Sequence, residues 1–315
     1  MLGTQMRQIN NNWLIADVGA TSSRVAVYDG TAITAIKIYR NEDHDGLESL
    51  LGNYCASADE RPARATLAVA APVDGDEISM MNRDWKFSFD SIRAIGFDTV
   101  EIINDFHALA YALPVFGDDD RFEVGKATQY RAGTIAALGP GSGLGMSAWI
   151  DGGAAMYGEG GHITLTARDE QEERTLRSLR NQYSHVSAER VLSGPGLLAL
   201  HQAINEEQLA TPEEVFAEPV TSAKQDTIAQ FYRFLGSVAA DLALITGAYG
   251  GVYIAGGIVP SYTDRIAASD FRSRFEDKNR YCDYMRAIPT WVITDPVPGL
   301  RGLAAFIDRD LSASR

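Results

Sequence analysis

The stretch Trp13-Leu14-Ile15-Ala16-Asp17-Val18 is an apolar run that breaks at Gly19-Ala20-Thr21. Arg24-Val25-Ala26-Val27-Tyr28 resumes it before a second break at Asp29-Gly30, and Ala32 to Tyr39 follows. Short β-branched and aromatic runs bounded by Gly and Asp read as strands, so the chain opens as an antiparallel meander. Glu48 to Tyr54 reads as part of a helix. Ala65 to Ala71 is another buried strand, ended by Pro72, and Val100 to Ile103 is one more before Asn104-Asp105. Phe106 to Leu113 reads as a short helix closed by Pro114.

The texture then changes. Gly117 to Tyr130, with Asp118-Asp119-Asp120, is polar and reads as a solvated connection. Thr134 to Leu138 is a strand that runs into Gly139-Pro140-Gly141-Ser142-Gly143-Leu144-Gly145. Residues 169–247 read as mostly helical, with Phe231, Phe234, Leu235, Val238, Leu242 and Ile245 on one face at the helical period. Val252 to Ala255 is a strand ending at Gly256-Gly257, Trp291 to Thr294 a last strand, and Leu300 to Asp308 a last helix. A strand-rich N-terminal lobe thus precedes a larger α/β lobe, with the boundary expected near residues 105–130. The 315 residues suit two domains, and no repeat at the solenoid periods of about 20–50 residues is visible.

Composition narrows the function. Hydrophobic residues make up 45% and charged residues 22% of the chain, which places it among folded globular proteins. The 28 basic and 42 acidic residues leave a net charge of −14. So acidic a chain repels phosphate backbones and anionic membrane surfaces, which argues against nucleic-acid binding. An anionic substrate then needs local groups, either backbone N–H donors or a metal ion. Cys55 and Cys282 stand alone, so neither a disulfide framework nor a Cys-rich zinc site is available. Met1 to Asn12 carries one Arg and no apolar segment, so no signal peptide is expected. Val238 to Pro260 is the most membrane-like stretch, yet it carries Asp241, and Gly250-Gly251 divides it into a helix and a strand. The expectation is a cytoplasmic chain with no membrane partner.

Four glycine turns follow strands. At Asp17-Val18-Gly19-Ala20-Thr21 the Gly lets amide N–H groups and the Thr21 hydroxyl face one anion, while Asp17 can hold Mg²⁺ through water; a plain hairpin explains the same residues. Gly139 to Gly145 is a good place for a nest of N–H donors. It is neither a dinucleotide fingerprint nor a Walker loop, and a tight strand-to-helix corner is the bland alternative. Gly256-Gly257 lets a flat ring approach the backbone, or serves a close helix–strand contact. Gly158-Glu159-Gly160-Gly161-His162 puts a carboxylate and an imidazole on a flexible backbone. With no third ligand nearby, hydrogen bonding to a polyhydroxylated ligand suits Glu159 and His162 better than zinc. Asn104-Asp105 is either a helix N-cap or a clamp and proton acceptor for a substrate hydroxyl. Glu189 sits in the first turn of an expected helix after Ser187, where helix-dipole charge is sufficient reason for it. His44, His107, His185 and His201 show no partner pattern and read as structural.

Taken in order, these segments resemble the bacterial glucokinases of the actin-like sugar-kinase superfamily over essentially the whole chain. The resemblance is carried by Ala16 to Thr21, Glu101 to Phe106, Gly139 to Gly145, Gly158 to His162, His185 to Gly196, Ile254 to Pro260, and Phe271 to Lys278. It implies an α/β, two-lobed actin-like ATPase (ribonuclease H-like) fold with an interlobe cleft. It also implies a small α/β domain over residues 1–110, with a helix over 300–315 packing back on it, and a large α/β domain over 111–299. ATP with Mg²⁺ would lie with its phosphates between Asp17, Gly19, Ala20 and Thr21 on one side and Gly139, Gly141, Ser142 and Gly143 on the other. Its adenosine would be near Gly256 and Gly257. Glucose would be held by Asn104, Asp105, Glu159, His162 and Glu189, with Asp105 as general base for the 6-hydroxyl. A homodimer is a family-level expectation. The related repressor/open-reading-frame/kinase family carries a Cys-rich zinc motif that two isolated cysteines cannot supply, so the likeness is to the zinc-free branch.

Two positions depart from the family pattern. Ala20 stands where a second Gly is usual and Ser22 where Asn is usual. If residue 20 needs a positive φ, Ala costs on the order of 1 kcal/mol there. The departures bear on ATP use more than on sugar binding. Beside a glucose 6-kinase, the sequence admits a sugar-binding regulatory protein that has lost transfer, on Ala20 and Ser22, and, because sugar preference depends on loops, a kinase for another hexose or an aminosugar.

Overall fold

The computed structural model describes residues 12–58, 61–80 and 83–313. The signal-peptide reading of Met1 to Asn12 falls on residues of which only Asn12 is described. The chain divides into two compact units, Met1–Val115 with Pro296–Arg315, and Phe116–Asp295.

The first unit runs β1 (Trp13–Val18), β2 (Ser22–Tyr28), β3 (Ile33–Arg40), α1 (Leu47–Ala56), β4 (Arg64–Val69), β5 (Glu77–Ser79), β6 (Lys86–Ser88), α2 (Phe89–Ala94), β7 (Thr99–Asn104) and α3 (Asp105–Ala112). Its sheet has the order β3-β2-β1-β4-β7, with β1, β4 and β7 parallel and the β1–β2–β3 meander antiparallel. Strand β1 is apolar on both faces, as a central strand covered on both sides must be. Leu14, Ala16 and Val18 face one core with Leu47, Leu50 and Leu51 of α1 and Ile92 of α2. Trp13 and Ile15 face the other with Ala108 of α3.

The second unit runs β8 (Arg121–Glu123), β9 (Ile135–Pro140), β10 (Leu144–Ile150), β11 (Ala154–Gly158), α4 (Glu170–Leu179), α5 (Gly194–Asn205), α6 (Glu213–Phe216), α7 (Ser222–Thr246), β12 (Gly251–Ile254), α8 (Thr263–Ala267), α9 (Phe271–Glu276), α10 (Cys282–Arg286) and β13 (Thr290–Ile293). Its sheet order is β11-β10-β9-β12-β13-β8. Again the first strand of a meander, β9, is parallel to the two strands beyond it, β12 and β13. The two units thus repeat one strand order. Helix α11 (Pro298–Ala313) then returns to the first unit, where Leu300, Leu303, Ala304 and Ile307 complete the core around Trp13 and Ile15. Residues 314 and 315 of the expected C-terminal helix lie outside the described residues.

Three readings of the sequence need correction. Gly117 to Tyr130 is not merely a solvated connection. Its Arg121–Glu123 forms edge strand β8, antiparallel to β13, and the buried Val124 carbonyl accepts the Thr290 hydroxyl at 2.6 Å. Three residues are too few to show an alternation, and Arg121 is fixed by stacking 4.4 Å from the Trp291 ring. The Gly139–Gly145 segment turns from strand to strand rather than into a helix, because β10 pairs back on β9. Ile245, expected on the buried face of α7, is 76% exposed, whereas Phe231, Phe234 and Leu235 are fully buried. Ile245 lies in the last turn of α7, just before the left-handed C-cap Gly247, where Leu242 and Ala243 take the buried side of the helix.

Helix α7 is long and apolar enough to cross a membrane by length and composition alone. Its apolar faces are instead spent on the protein core, with α5, α9 and β9 packed against it.

The correction at α7 is testable. Leu235→Ala should destabilise the second unit by about 2–5 kcal/mol, while Ile245→Ser should stay within about 0.5 kcal/mol of the parent. Urea unfolding followed by tryptophan fluorescence separates the two, and equal losses would return Ile245 to the core.

Candidate active site

In the first unit the period of two along β1 decides where Asp17 points. It falls on the face of Trp13 and Ile15, which is the face that α11 covers. A Cβ on Gly299, in the first turn of α11, would lie 2.5 Å from the Asp17 carboxyl carbon. Only glycine allows that approach. Across the β1–β2 pair Asp17 is opposite Arg24, whose Nη1 is 3.7 Å from Asp17 Oδ2. The Asp17 side chain is 17% exposed. Burial pushes its pKa above the usual carboxylate range, and the Arg24 guanidinium opposes that shift only in part. Neither Arg24 nor Gly299 is marked by any motif; the pairing of Arg24 with Asp17 depends on the β1–β2 register, and Gly299 is remote in the chain.

The β1–β2 turn is tightened by Gly19 N–H donating to Ser22 O at 3.1 Å, with a Cβ on Gly19 only 3.2 Å from that oxygen. The fully buried Asn41 staples it. Asn41 Nδ2 donates to Gly19 O at 2.8 Å, its N–H donates to Thr21 O at 2.9 Å, and its Oδ1 accepts the Ser23 hydroxyl at 2.7 Å. Thr21 is exposed. The described non-glycine residues with positive φ are Ala35, Glu206 and Asn279. Ala20 is not among them, so the strain considered for this position is absent. What fixes Gly19 is a close approach, not a left-handed backbone.

Register places Val18 beside Val69 and Val69 beside Asn104. The Gly19 turn and Asp105 therefore leave the same edge of the sheet, roughly 10 Å apart at two strand spacings. Asn104 caps α3: its Oδ1 accepts the N–H groups of Phe106 at 2.9 Å and His107 at 3.1 Å. Its amide oxygen is thus committed, and Nδ2 reaches Ala71 O at 3.3 Å. Asp105, the first residue of the helix, accepts the Phe106 N–H at 2.9 Å.

In the second unit the turns after β9 and β12 lie side by side. Ala255 N–H donates to Leu138 O at 2.8 Å and Ile258 N–H to Pro140 O at 3.3 Å. Gly256 has φ +85°, and a Cβ there would meet Pro140 O at 2.2 Å. The close contact is therefore with the end of a neighbouring strand rather than with a helix. Gly257 is exposed, as is Ser142. The Gly141 N–H donates to Gly143 O at 2.8 Å, closing the β9–β10 turn.

Glu159, His162 and Glu189 gather around the start of β10. Glu159 ends the β11 excursion, and His162 Nε2 lies 4.0 Å from Glu159 Oε2, both side chains exposed. A Cβ on Gly161 would meet Leu144 O at 2.2 Å, so this loop rests on Leu144. Glu189 Oε2 accepts the Leu144 N–H at 2.8 Å. Ala188 N–H to Ile163 O at 2.9 Å and Leu165 N–H to Val186 O at 3.0 Å join the two carboxylate-bearing segments. Glu189 therefore lies in a three-residue 3₁₀ turn, Ala188–Arg190, and not in an α-helix. Its carboxylate is aimed at the turn after β9, which a helix-dipole role does not explain.

A family model described as Glucokinase matches residues 14–310. The chain belongs to the glucokinase family. It is 40% identical to a glucokinase of Aromatoleum aromaticum over 95% of each chain. It is 38% identical to one of Erwinia tasmaniensis over 95% of this chain and 97% of that one. A crystal structure of glucokinase from an Antarctic psychrotroph superposes with a TM-score of 0.82 at 32% identity, covering 95% of this chain and 99% of that one. The chain accordingly has the two-domain actin-like ATPase fold of the family.

Burial of Asp17 generates a test. Because its pKa is raised in the folded state, its contribution to stability is full below the ordinary aspartate value of about 3.9 and is lost as pH rises through the folded value. Asp17→Asn should therefore raise the thermal midpoint at pH 7.5, as a chosen assay condition of about neutral pH, and the advantage should shrink on acidification. A midpoint difference that does not change with pH would contradict this account of Asp17.

Proposed function

We propose that this chain transfers the γ-phosphoryl group of ATP to the 6-hydroxyl of glucose, with Asp105 as general base. Membership of the glucokinase family carries the reaction, ATP-dependent phosphorylation of glucose. The observation that supports the residue roles is that each unit ends its parallel strands on a glycine turn with carboxylates at the same edge.

Asn104, by capping α3, fixes the backbone that carries Asp105 at the positive end of the helix, where the anion is favoured. An aspartate is a weak base, but in a loose phosphoryl-transfer transition state the hydroxyl proton leaves late, so a positioned carboxylate suffices. Glu159, His162 and Glu189 supply acceptors and one donor for the sugar hydroxyls. A sugar lacking one of those hydroxyls leaves a carboxylate unpaired, and that is the source of selection. In the first unit Thr21 and the backbone of the Gly19 turn are suited to phosphate oxygens, and in the second Ser142 and the backbone of the Gly141–Gly143 turn are; Gly256 and Gly257 leave the adenosine an uncluttered backbone.

No group of three or more His, Cys, Asp or Glu gathers among the described residues. The Glu159–His162 pair has no third such ligand gathered with it among the described residues, so hydrogen bonding to a sugar remains its proposed role. Mg²⁺ prefers to keep several waters, so a single protein carboxylate fits it, and Asp17 would be that carboxylate. When bound, the ion neutralises charge on the phosphates. A cytoplasmic location and a homodimer accompany this reading on the family resemblance.

Asp105→Asn should lower kcat by about 10²–10⁴-fold, the range of general-base catalysis, with glucose binding retained. Ala20→Gly should change the KM for ATP less than about twofold, because residue 20 needs no left-handed backbone. ADP release coupled to a hexose panel reads both. Turnover only with a sugar other than glucose would replace the substrate, and binding without turnover would make the chain a regulator.

A further inference from the structure

Glu189 makes a contact that a sugar ligand does not require. Its Oε2 accepts the N–H of Leu144, the residue that closes the β9–β10 turn, at 2.8 Å. Oε1 accepts no hydrogen bond from the described residues. The turn is shaped for this contact. A Cβ on Gly143 would stand 2.6 Å from Glu189 Oε2, so any larger residue there would make the carboxylate shift from this position. The same segment grips the turn again five residues on, where Gly194 N–H donates to Gly141 O at 2.8 Å. Ser193 Oγ donates to Glu189 O at 2.8 Å and accepts Gly196 N–H at 3.0 Å, which ties residue 189 to the N-terminus of α5. Arg190 stacks 4.5 Å from the Tyr183 ring. The carboxylate therefore sits on a firmly held backbone and spans the gap to the turn.

We infer that Glu189 is a positioning residue that couples the two substrates: Oε2 holds the phosphate turn in its binding shape while Oε1 accepts a sugar hydroxyl. The inference rests on the kinase reading above and adds to it. One rigid carboxylate shared by two ligands makes their binding interdependent, since whichever arrives first fixes the group the other needs. Linkage makes the effect reciprocal. A carboxylate that served the sugar alone would leave the nucleotide indifferent to its removal.

The discriminating measurement is calorimetric binding of Mg-ADP to the full chain in the absence of sugar. Glu189→Gln keeps an oxygen for the Leu144 N–H, whereas Glu189→Ala removes it. Glu189→Ala should weaken Mg-ADP binding about three- to tenfold, the range expected for one net hydrogen bond, and Glu189→Gln should not. Gly143→Ala supplies the converse arm. Its Cβ displaces the carboxylate, so a change in the phosphate turn should raise the KM for glucose. If Glu189→Ala alters glucose binding and leaves sugar-free Mg-ADP binding unchanged, the coupling role is overturned while the kinase reading stands. Failure of the kinase reading shows separately, as absence of glucose-dependent ADP release by the unmodified chain, and the coupling role falls with it.

Discussion

Parallel alignment of β1, β4 and β7 in one unit, and of β9, β12 and β13 in the other, constrains everything else in the molecule. Parallel strands end together, so the backbone must turn away from the sheet at one common edge. That edge is where a parallel sheet collects ligands. In the first unit it carries the Gly19 turn and Asp105, in the second the Gly141–Gly143 and Gly256–Gly257 turns. A register slip of one residue in β1 would move Asp17 to the α1 face and Ala16 against α11. The packing of Trp13 and Ile15 against Leu300 and Leu303 thus sets the direction of the Asp17 carboxylate.

Much of this was legible in the chain. Asp17 to Thr21, Asn104-Asp105 and the Gly139–Gly145 segment announce themselves because each ends an apolar run with residues that turn the backbone. Most strands and the long helix α7 follow from periodicity in the same way. The hidden parts are those that depend on distant residues. Gly299 is close to 280 residues from Asp17, yet its missing side chain is what lets the carboxylate stand where it does. Asn41 looks like any polar residue after a strand, and its three hydrogen bonds to the Gly19 turn appear only when β3 folds back on β2. The repeated strand order is invisible for another reason: it is a repeat of topology, with units of different length and insertions between their strands.

Glu189 shows how a sound local argument misleads. An acidic residue soon after Ser187 is well explained by a helix dipole, but the segment is a 3₁₀ turn and Ser187 makes no side-chain cap. The sequence signal that points elsewhere is the glycine at 143, which is needless for a simple hairpin turn without a positive φ. Gly143 and Glu189 are two halves of one contact, 46 residues apart. Each is unremarkable until the other is seen.

The net charge of −14 sharpens the problem the turns solve. An acidic protein that binds a triphosphate has to concentrate favourable potential without a basic surface. Arg24 is the cation beside Asp17, and at 3.7 Å it is largely balanced by that carboxylate. On the proposed function, backbone dipoles would share that task with the Mg²⁺ ion, and their value depends on the shape of the turn rather than on its sequence. This explains why so much of the surrounding chain is given over to holding turns still: Asn41 on the first, Gly194 and Glu189 on the second, Gly256 against the end of β9. Side chains near these turns act as braces, and an anionic brace such as Glu189 is tolerable because its charge is already engaged by the Leu144 N–H.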